Sequence, residues 1–281
     1  MGLIWRSIDN VADFTRLARP FFLVHESRYV IILNMLTLIE ARELEGFDYW
    51  VLLDGEECCG AVVISPKGNV YSSSIPIQYI HSCISCIETF EKTLLRITAP
   101  SETARAIVQG LSGDFELEMT QGIFECSKVV LPPDDGGCLL QAADEHEEIA
   151  GRLLQGFLRD CFPDEPDPVE VAAVTKRAIA ANNVFLWQNA EGHFVSMAAK
   201  VRQTDNTTSI SWVYTPDEHR RCGYGSKATA YLSELSLDEE RPLCNLFTDA
   251  SNPTSNRIYQ KIGYIKCGEQ LIYKLKEKKD C

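Results

Sequence analysis

Two short stretches hold residue types from which a reactive site could be built. In the first, Arg220-Arg221-Cys222-Gly223-Tyr224-Gly225-Ser226, two glycines lie between an apolar strand-like run, Ile210-Ser211-Trp212-Val213-Tyr214, and a helix-like run from Lys227 to Leu237. A turn of this kind presents backbone N–H groups at the positive end of a helix dipole, and its glycines let a phosphate approach without meeting a Cβ. It reads as a pyrophosphate cradle. The loop lacks the glycine spacing and the Lys-Ser/Thr pair of an ATP-binding loop. No acidic residue follows a second strand as a dinucleotide site requires, so ATP and NAD are disfavoured. In the second stretch, Asn252, Asn256 and Tyr259 follow another strand-like run, Leu243 to Thr248. Tyr259 stands seven residues after Asn252 and one helical turn after Asn256, on one side of a helix opened by Pro253 at its first turn.

The elements that must position these residues follow from periodicity and punctuation. Asn10 to Phe22 places Val11, Phe14, Leu17 and Ala18 on one helical face, and a second helix runs from Glu26 to Glu45, with Gly46 as its stop. Asp48 to Leu53 and Ala61 to Ser65 form a hairpin about Asp54-Gly55, and Tyr71 to Ile80 reads as a third strand with Pro76 at an edge or bulge. Ile84 to Ile97 has helical spacing, Ser101 opens a short helix to Gly110, and Phe115–Met119 with Ile123–Val130 read as a hairpin about Gln121-Gly122. Leu131-Pro132-Pro133-Asp134-Asp135-Gly136-Gly137 is the clearest boundary, with Asp134-Asp135 read as solvated. The second half opens with Leu139 to Ala143, an edge strand or helix lead-in. Helices follow over Glu145–Phe162 and Val169–Asn182, separated by a loop from Pro163 to Pro168, and then a hairpin of Val184–Asn189 and Phe194–Arg202. These ranges predict domains at 1–131 and 139–281 joined by a linker at 132–138.

Composition narrows the class. With 281 residues, 45% hydrophobic and 24% charged, the chain is long enough for two folded domains. The net charge of −13 argues against nucleic acid as a partner and is compatible with a basic or amine substrate. Residues 1–137 hold 10 basic and 19 acidic side chains against 17 and 21 in 138–281, so the acidity is concentrated in the first half. The longest apolar run, Tyr29 to Ile39, is too short to span a bilayer, and Met1 to Asn10 has no signal-peptide pattern, so no membrane association and a cytoplasmic location, with the nucleus as an alternative, are expected. The 11 cysteines are odd in number and scattered, which fits reduced thiols. Cys83-Ile84-Ser85-Cys86 has no second pair and no spaced histidines, so a structural role is expected and no metal.

Trp212-Val213-Tyr214-Thr215-Pro216 followed by Arg220 to Gly225 resembles the acetyl-CoA-binding motif of the GCN5-related N-acetyltransferases, Q/R-x-x-G-x-G/A after a V-x-P strand end. Arg220, Gly223 and Gly225 stand at its patterned positions. Asn252 to Tyr264 is similar to the family's second motif, N-x-x-S/A-x-x-x-Y-x-x-x-G-F/Y, and the two together cover roughly residues 138–275. The resemblance implies an α/β (α+β) fold with a mixed central sheet splayed between the strand ending at Tyr214 and that at Leu243–Thr248, flanked by helices. It further implies that pantetheine lies in the cleft, that the diphosphate rests on the amides of Arg221, Cys222, Gly223, Tyr224, Gly225 and Ser226, that Asn252 and Asn256 contact cofactor, and that no metal takes part. The first half echoes the second in element order and is read as a degenerate domain of the same kind. His81-Ser82-Cys83-Ile84-Ser85 stands where its cradle would be, so it is expected to bind no CoA.

Acetyl transfer needs a neutral amine, donors for a developing oxyanion and a proton for the departing thiolate. The resemblance assigns the oxyanion donor to the backbone N–H of Val213 or Tyr214 and the acid to Tyr259, whose ordinary pKa near 10 lies above that of a thiol near 8.5. A packing role for Tyr259 and a helix-capping role for Asn252 stand beside these assignments. Asp249, Glu218, His219 and Ser211 lie near the cleft in sequence, and none is fixed as the base. The expected activity is direct transfer from acetyl-CoA to the amine of a small molecule, amino acid or peptide by a monomer or homodimer. A catalytically weak CoA-binding regulatory or scaffold protein is the alternative.

Overall fold

The computed structural model describes residues 2–161, 165–238 and 241–276. Its first ten elements are β1 (Ile4–Ile8), α1 (Val11–Leu23), α2 (Glu26–Glu40), β2 (Asp48–Asp54), β3 (Glu57–Ile64), β4 (Asn69–Ser72), α3 (Ile80–Ile87), β5 (Arg96–Pro100), α4 (Ser101–Gly110) and β6 (Phe115–Cys126). The remainder are β7 (Cys138–Gln141), α5 (Glu147–Cys161), α6 (Pro168–Ala180), β8 (Val184–Gln188), β9 (Phe194–Gln203), β10 (Thr207–Tyr214), α7 (Tyr224–Asp238), β11 (Leu243–Asp249), α8 (Pro253–Lys261) and β12 (Ile265–Leu275). Short 3-10 turns aside, the second series repeats the first type for type. The loop read over Pro163–Pro168 and the tail after Lys276 lie partly or wholly outside the described residues. No helix among those described is long and apolar enough to cross a membrane.

The chain forms two compact units that interleave in sequence. One comprises Met1–Ile123, Phe247–Asn252 and Lys266–Cys281, the other Phe124–Leu246 and Pro253–Ile265. The sequence reading divides the chain once, at 132–138, and carries the second domain to 281; the contacts instead group the final strand with the first unit. There β12 pairs antiparallel with β5, Gln270–Lys274 against Pro100–Arg96.

In the first unit β1, β2, β3 and β4 pair antiparallel in that order, and β4 pairs parallel with β5. Alternation along the strands divides its core. Val51, Leu53, Ala61 and Val63 face Phe14, Phe22 and Leu33 of α1 and α2, while Leu52, Val62 and Ile64 face Ile84, Ile87 and Ile107 of α3 and α4. Cys83 and Cys86 are buried in α3, and burial pushes their thiols to about 12 and about 11.

In the second unit β7, β8, β9 and β10 pair antiparallel, and β10 pairs parallel with β11. Phe185, Trp187 and Ala198 pack toward Ala228 and Leu232 of α7. Val184, Leu186 and Met197 pack toward Leu153, Leu154, Val171 and Ile179 of α5 and α6.

Several elements differ from the sequence reading, each for a local reason. The second helix stops at Glu40, five residues before the expected Glu45, because Arg42 takes a left-handed φ of 60° and Glu43 N–H bonds back to Leu38 O. The third strand ends at Ser72, and a 3-10 turn leads into α3. The helical spacing over Ile84 to Ile97 is broken after Ile87; Ile97 and Ala99 are buried strand residues of β5, paired on both sides. The hairpin expected about Gln121-Gly122 is one strand, β6, in which Gln121 Oε1 accepts a 2.7 Å bond from Gln270 Nε2. The strand β1 has no counterpart in the sequence reading.

Candidate active site

The site in the second unit begins with a strand that leaves its neighbour. Parallel pairing of β10 with β11 covers Thr207–Ser209 against Leu243–Asn245, closed by a buried 2.6 Å bond from Ser209 Oγ to Asn245 Oδ1. β10 continues for five residues to Tyr214. On its other edge the register with β9 shifts between Ser211 and Tyr214, which pair with Ala199 and Met197. Two residues, Trp212 and Val213, therefore oppose one, and Trp212 takes a φ of 54°. A bulge of this kind turns backbone groups out of the ladder. A left-handed conformation at a bulky residue is costly and persists only where the surroundings impose it. Ser196 supplies part of that imposition: its Oγ donates to Tyr214 O at 2.9 Å and lies 2.9 Å from Thr215 Oγ1.

The chain then passes through Thr215, Pro216 and a turn at Asp217–His219 into the glycine loop. Arg221 and Gly223 have φ values of 68° and 78°, and a Cβ on Gly223 would meet nothing within 4 Å. Glycine is needed at 223 for its conformation, and its backbone is open to a ligand. Gly225 answers a different demand, since a Cβ there would stand 3.2 Å from Thr215 Oγ1 and 3.6 Å from Val213 Cγ1. The first helical bond of this turn runs from Lys227 N to Gly223 O, so the amides of Tyr224, Gly225 and Ser226 precede it and point out of the helix N-terminus. These features fit a diphosphate: an open left-handed turn, a close helix–strand approach and unspent amides at a positive helix end. Cys222 is exposed, and its thiol points to Arg220 O at 3.7 Å.

Arg220 does not point into this loop's open side. Its Nε donates to Thr215 O at 2.9 Å, Nη2 donates to Asp160 Oδ2 at 2.6 Å, and Nη1 lies 2.7 Å from Asp217 Oδ1. The guanidinium also lies over the Tyr214 ring, 5.7 Å from its centre. Burial works against the Arg220 charge, but Asp160 and Asp217 outweigh it and hold its pKa above the ordinary value. Burial, then the Asp160 carboxylate, raise the Tyr214 phenol. Gly156 of α5 abuts the same ring, and a Cβ there would overlap Tyr214 Cζ. The loop is also held from outside: Lys227, buried on α7, pairs with Asp135. Asp135 is thus an anchor and not a solvated linker residue, while Asp134 caps the turn by accepting from Gly136 N at 2.9 Å.

Tyr259 lies on α8 as expected. Its ring is half-buried against the cluster containing Leu246, Ile262 and Tyr264, 6.1 Å from the Tyr264 ring at 62°. Burial, with a smaller contribution from the charge of Cys161, pushes its phenol up to about 12. Tyr264 is fixed in turn by a 2.7 Å bond with Ser233 Oγ. Asn256 is half-buried on the same helix. Asn252 is exposed just before α8, grouped with the first unit, its N–H bonded to Asp249 O at 3.0 Å. Of the groups considered as bases, Glu218 and His219 lie in the turn before the loop, Ser211 is half-buried beside the bulge, and Asp249 accepts from Ser251 N and Oγ at 2.8 and 2.7 Å.

Asp160, Gly156 and Ser196 are absent from the sequence reading, and Asp135 stands there only as a solvated linker residue. Gly156 and Asp160 stand four apart on α5, and that spacing, a glycine and a carboxylate on one helical face, is their only sequence signal.

Residues 190–272 match the family described as FR47-like protein. A comparison with curated proteins by sequence gives no match. Among solved structures, an acetyltransferase of the GNAT family from Colwellia psychrerythraea is similar with a TM-score of 0.65 at 10% identity, over 97% of this chain and 100% of that one. A GCN5-related N-acetyltransferase from Sphaerobacter thermophilus gives 0.61 at 14% identity, over 96% and 94%. A tandem GNAT protein from the clavulanic acid biosynthesis pathway, in a structure without AcCoA, gives 0.54 at 10% identity, over 96% and 98%. At such identities the likeness is one of fold, and it extends over both halves.

Proposed function

We propose, from the GCN5-related N-acetyltransferase fold as premise, that this chain transfers an acetyl group from acetyl-CoA directly to an amine. The observation that carries the reading is the bulged end of β10, followed after one short turn by the glycine loop at the head of α7. That sequence of strand edge, open turn and helix N-terminus suits a long ligand with an amide arm and a diphosphate. Acetyl-CoA, when bound, supplies an acyl group activated as a thioester.

The amides of Arg221 to Ser226 would hold the diphosphate, and Asn252 and Asn256 would contact the cofactor. The N–H of Val213 or Tyr214, at the bulge, would donate to the acyl oxygen, where a fixed donor stabilises developing negative charge without reorganising. Tyr259 keeps its proton at all physiological pH, because burial holds its phenol near 12. Proton transfer to an ordinary thiolate near 8.5 would then cost about 5 kcal/mol, so Tyr259 acts first as a hydrogen-bond donor to the leaving sulfur. A thiolate formed in the same buried surroundings also rises in pKa, which narrows that gap. The acceptor is a small-molecule, amino-acid or peptide amine, admitted as the free base; the acidic surface favours basic acceptors weakly.

The first unit has no such edge. Ile75 N donates to Thr103 Oγ1 at 3.1 Å and Ser74 N to Tyr29 Oη at 3.3 Å, so donors that follow β4 are taken by the chain's own side chains. This supports its reading as a degenerate partner domain without CoA. Thiol release from acetyl-CoA, measured against a panel of amines, tests the function. Turnover that is lost in Tyr259→Phe supports the enzyme; tight CoA binding with no turnover on any amine makes the protein a CoA-dependent scaffold.

A further inference from the structure

Arg220 is the first residue of the glycine loop and the one with most charge to offer a phosphate, yet its donors point elsewhere. Nε, Nη1 and Nη2 are engaged by Thr215 O, Asp217 and Asp160, at 2.9, 2.7 and 2.6 Å. Asp160 lies on α5, one turn beyond Gly156; a Cβ on that glycine would overlap the Tyr214 ring, over which the guanidinium also lies. Two independent contacts therefore join the C-terminal end of α5 to the strand and loop: a ring seated in a glycine notch and a two-carboxylate clamp on one arginine. The end of α5 thus borders the bulged end of β10, beside which an acceptor enters on the acyltransferase reading.

We propose that Arg220 is a positioning residue that ties α5 to the loop, and that the Arg220–Asp160 pair sets acceptor affinity and contributes little to cofactor affinity. This rests on the acyltransferase reading for its consequence, but not for its geometry. The physical reason is the shape of the guanidinium. A planar fork satisfies three acceptors on two segments while stacking on a ring, whereas a lysine ammonium keeps the charge and loses the fork. Had Arg220 served as a phosphate ligand, the lysine would retain most of its value. As a strut, Arg220→Lys fails in the same way as Asp160→Asn.

Three measurements on the full chain decide the matter. Without any ligand, Asp160→Asn and Arg220→Lys are each expected to lower the midpoint of urea unfolding, and the double variant to lower it no further than the worse single one. Unchanged midpoints in both variants overturn the strut. In titrations with CoA, Asp160→Asn and the neutral Arg220→Gln are expected to stay within about threefold of the parent; a loss of about tenfold or more in Arg220→Gln with Asp160→Asn unaffected makes Arg220 a phosphate ligand and overturns the proposal. With an accepted amine, each variant raises acceptor KM by about tenfold, a larger effect than on kcat, and the double variant is no worse than either single one. Additive losses would mean that the two residues act separately, which also overturns it. Failure of the parent protein to bind CoA or turn over would refute the functional reading, while the ligand-free unfolding experiment would still decide the strut.

Discussion

At the scale of single residues, the site depends on groups whose environment was visible only in part from their identity. Tyr259 was read as an acid with an ordinary pKa; burial moves it to about 12. Its protonated form is lost only as pH rises through that value, so kcat should show no descending limb from Tyr259 below about pH 11. In Tyr259→Phe, which keeps the ring against Tyr264, kcat should fall by about a hundredfold with CoA affinity retained. A descending limb near pH 9 that disappears in Tyr259→Phe would count against the assignment. Gly225 gives a second expectation. An alanine there presses on Thr215 Oγ1 and Val213 across the close contact of helix and strand. CoA affinity measured by calorimetry should drop by about tenfold, while the melting temperature changes little, because alanine favours the helix by about 1 kcal/mol over glycine. Full affinity in Gly225→Ala would show that the approach of α7 to β10 does not set the cradle.

At the scale of elements, the loop between β10 and α7 is held by its neighbours as much as by its own glycines. The segment before β7 reaches α7 through Asp135 and Lys227, and the Lys227 ammonium, ahead of the Gly137 amide and against the cost of burial, holds the Asp135 carboxyl below its usual range. A carboxylate whose folded pKa is depressed contributes stability above its unfolded pKa of about 4, and that contribution is lost as pH falls through the folded value. Asp135→Asn should therefore cost up to about 1 kcal/mol at pH 7 and progressively less below pH 4. Urea unfolding at pH 7 and pH 3 measures this, and an equal deficit at both would exclude the ion pair as its source. Helix α5 makes the same point from the other side. Placing a methyl at Gly156 would overlap the Tyr214 ring, and Gly156→Ala should lower stability by about 1–3 kcal/mol in thermal unfolding despite its better helix propensity.

At the scale of the whole molecule, two series of elements repeat one order, yet the compact units do not divide where the prolines and glycines of 131–137 invite a cut. The C-terminal strand β12 pairs with β5, and Leu271 is buried beside Ala99 and Ala104. A fragment of residues 1–131 lacks that strand and leaves β5 with an open edge, so it should be unfolded or aggregated by circular dichroism and light scattering. A stable, monomeric fragment would show that the first unit completes itself. The sequence determined the two-series organisation, the glycine loop at a helix head, and the phenol on a helix beginning at Pro253, because each is encoded within a few residues by turn chemistry, periodicity or cap position. It misread Ile84 to Ile97 and Gln121-Gly122, where buried strand pairing overrides local pattern. Only the tertiary structure decided that Arg220 clamps Asp160, that Tyr214 needs Gly156, and that the last strand belongs with the first unit. These are contacts between residues far apart in the chain, and their partners are chosen by packing and charge once the elements have formed.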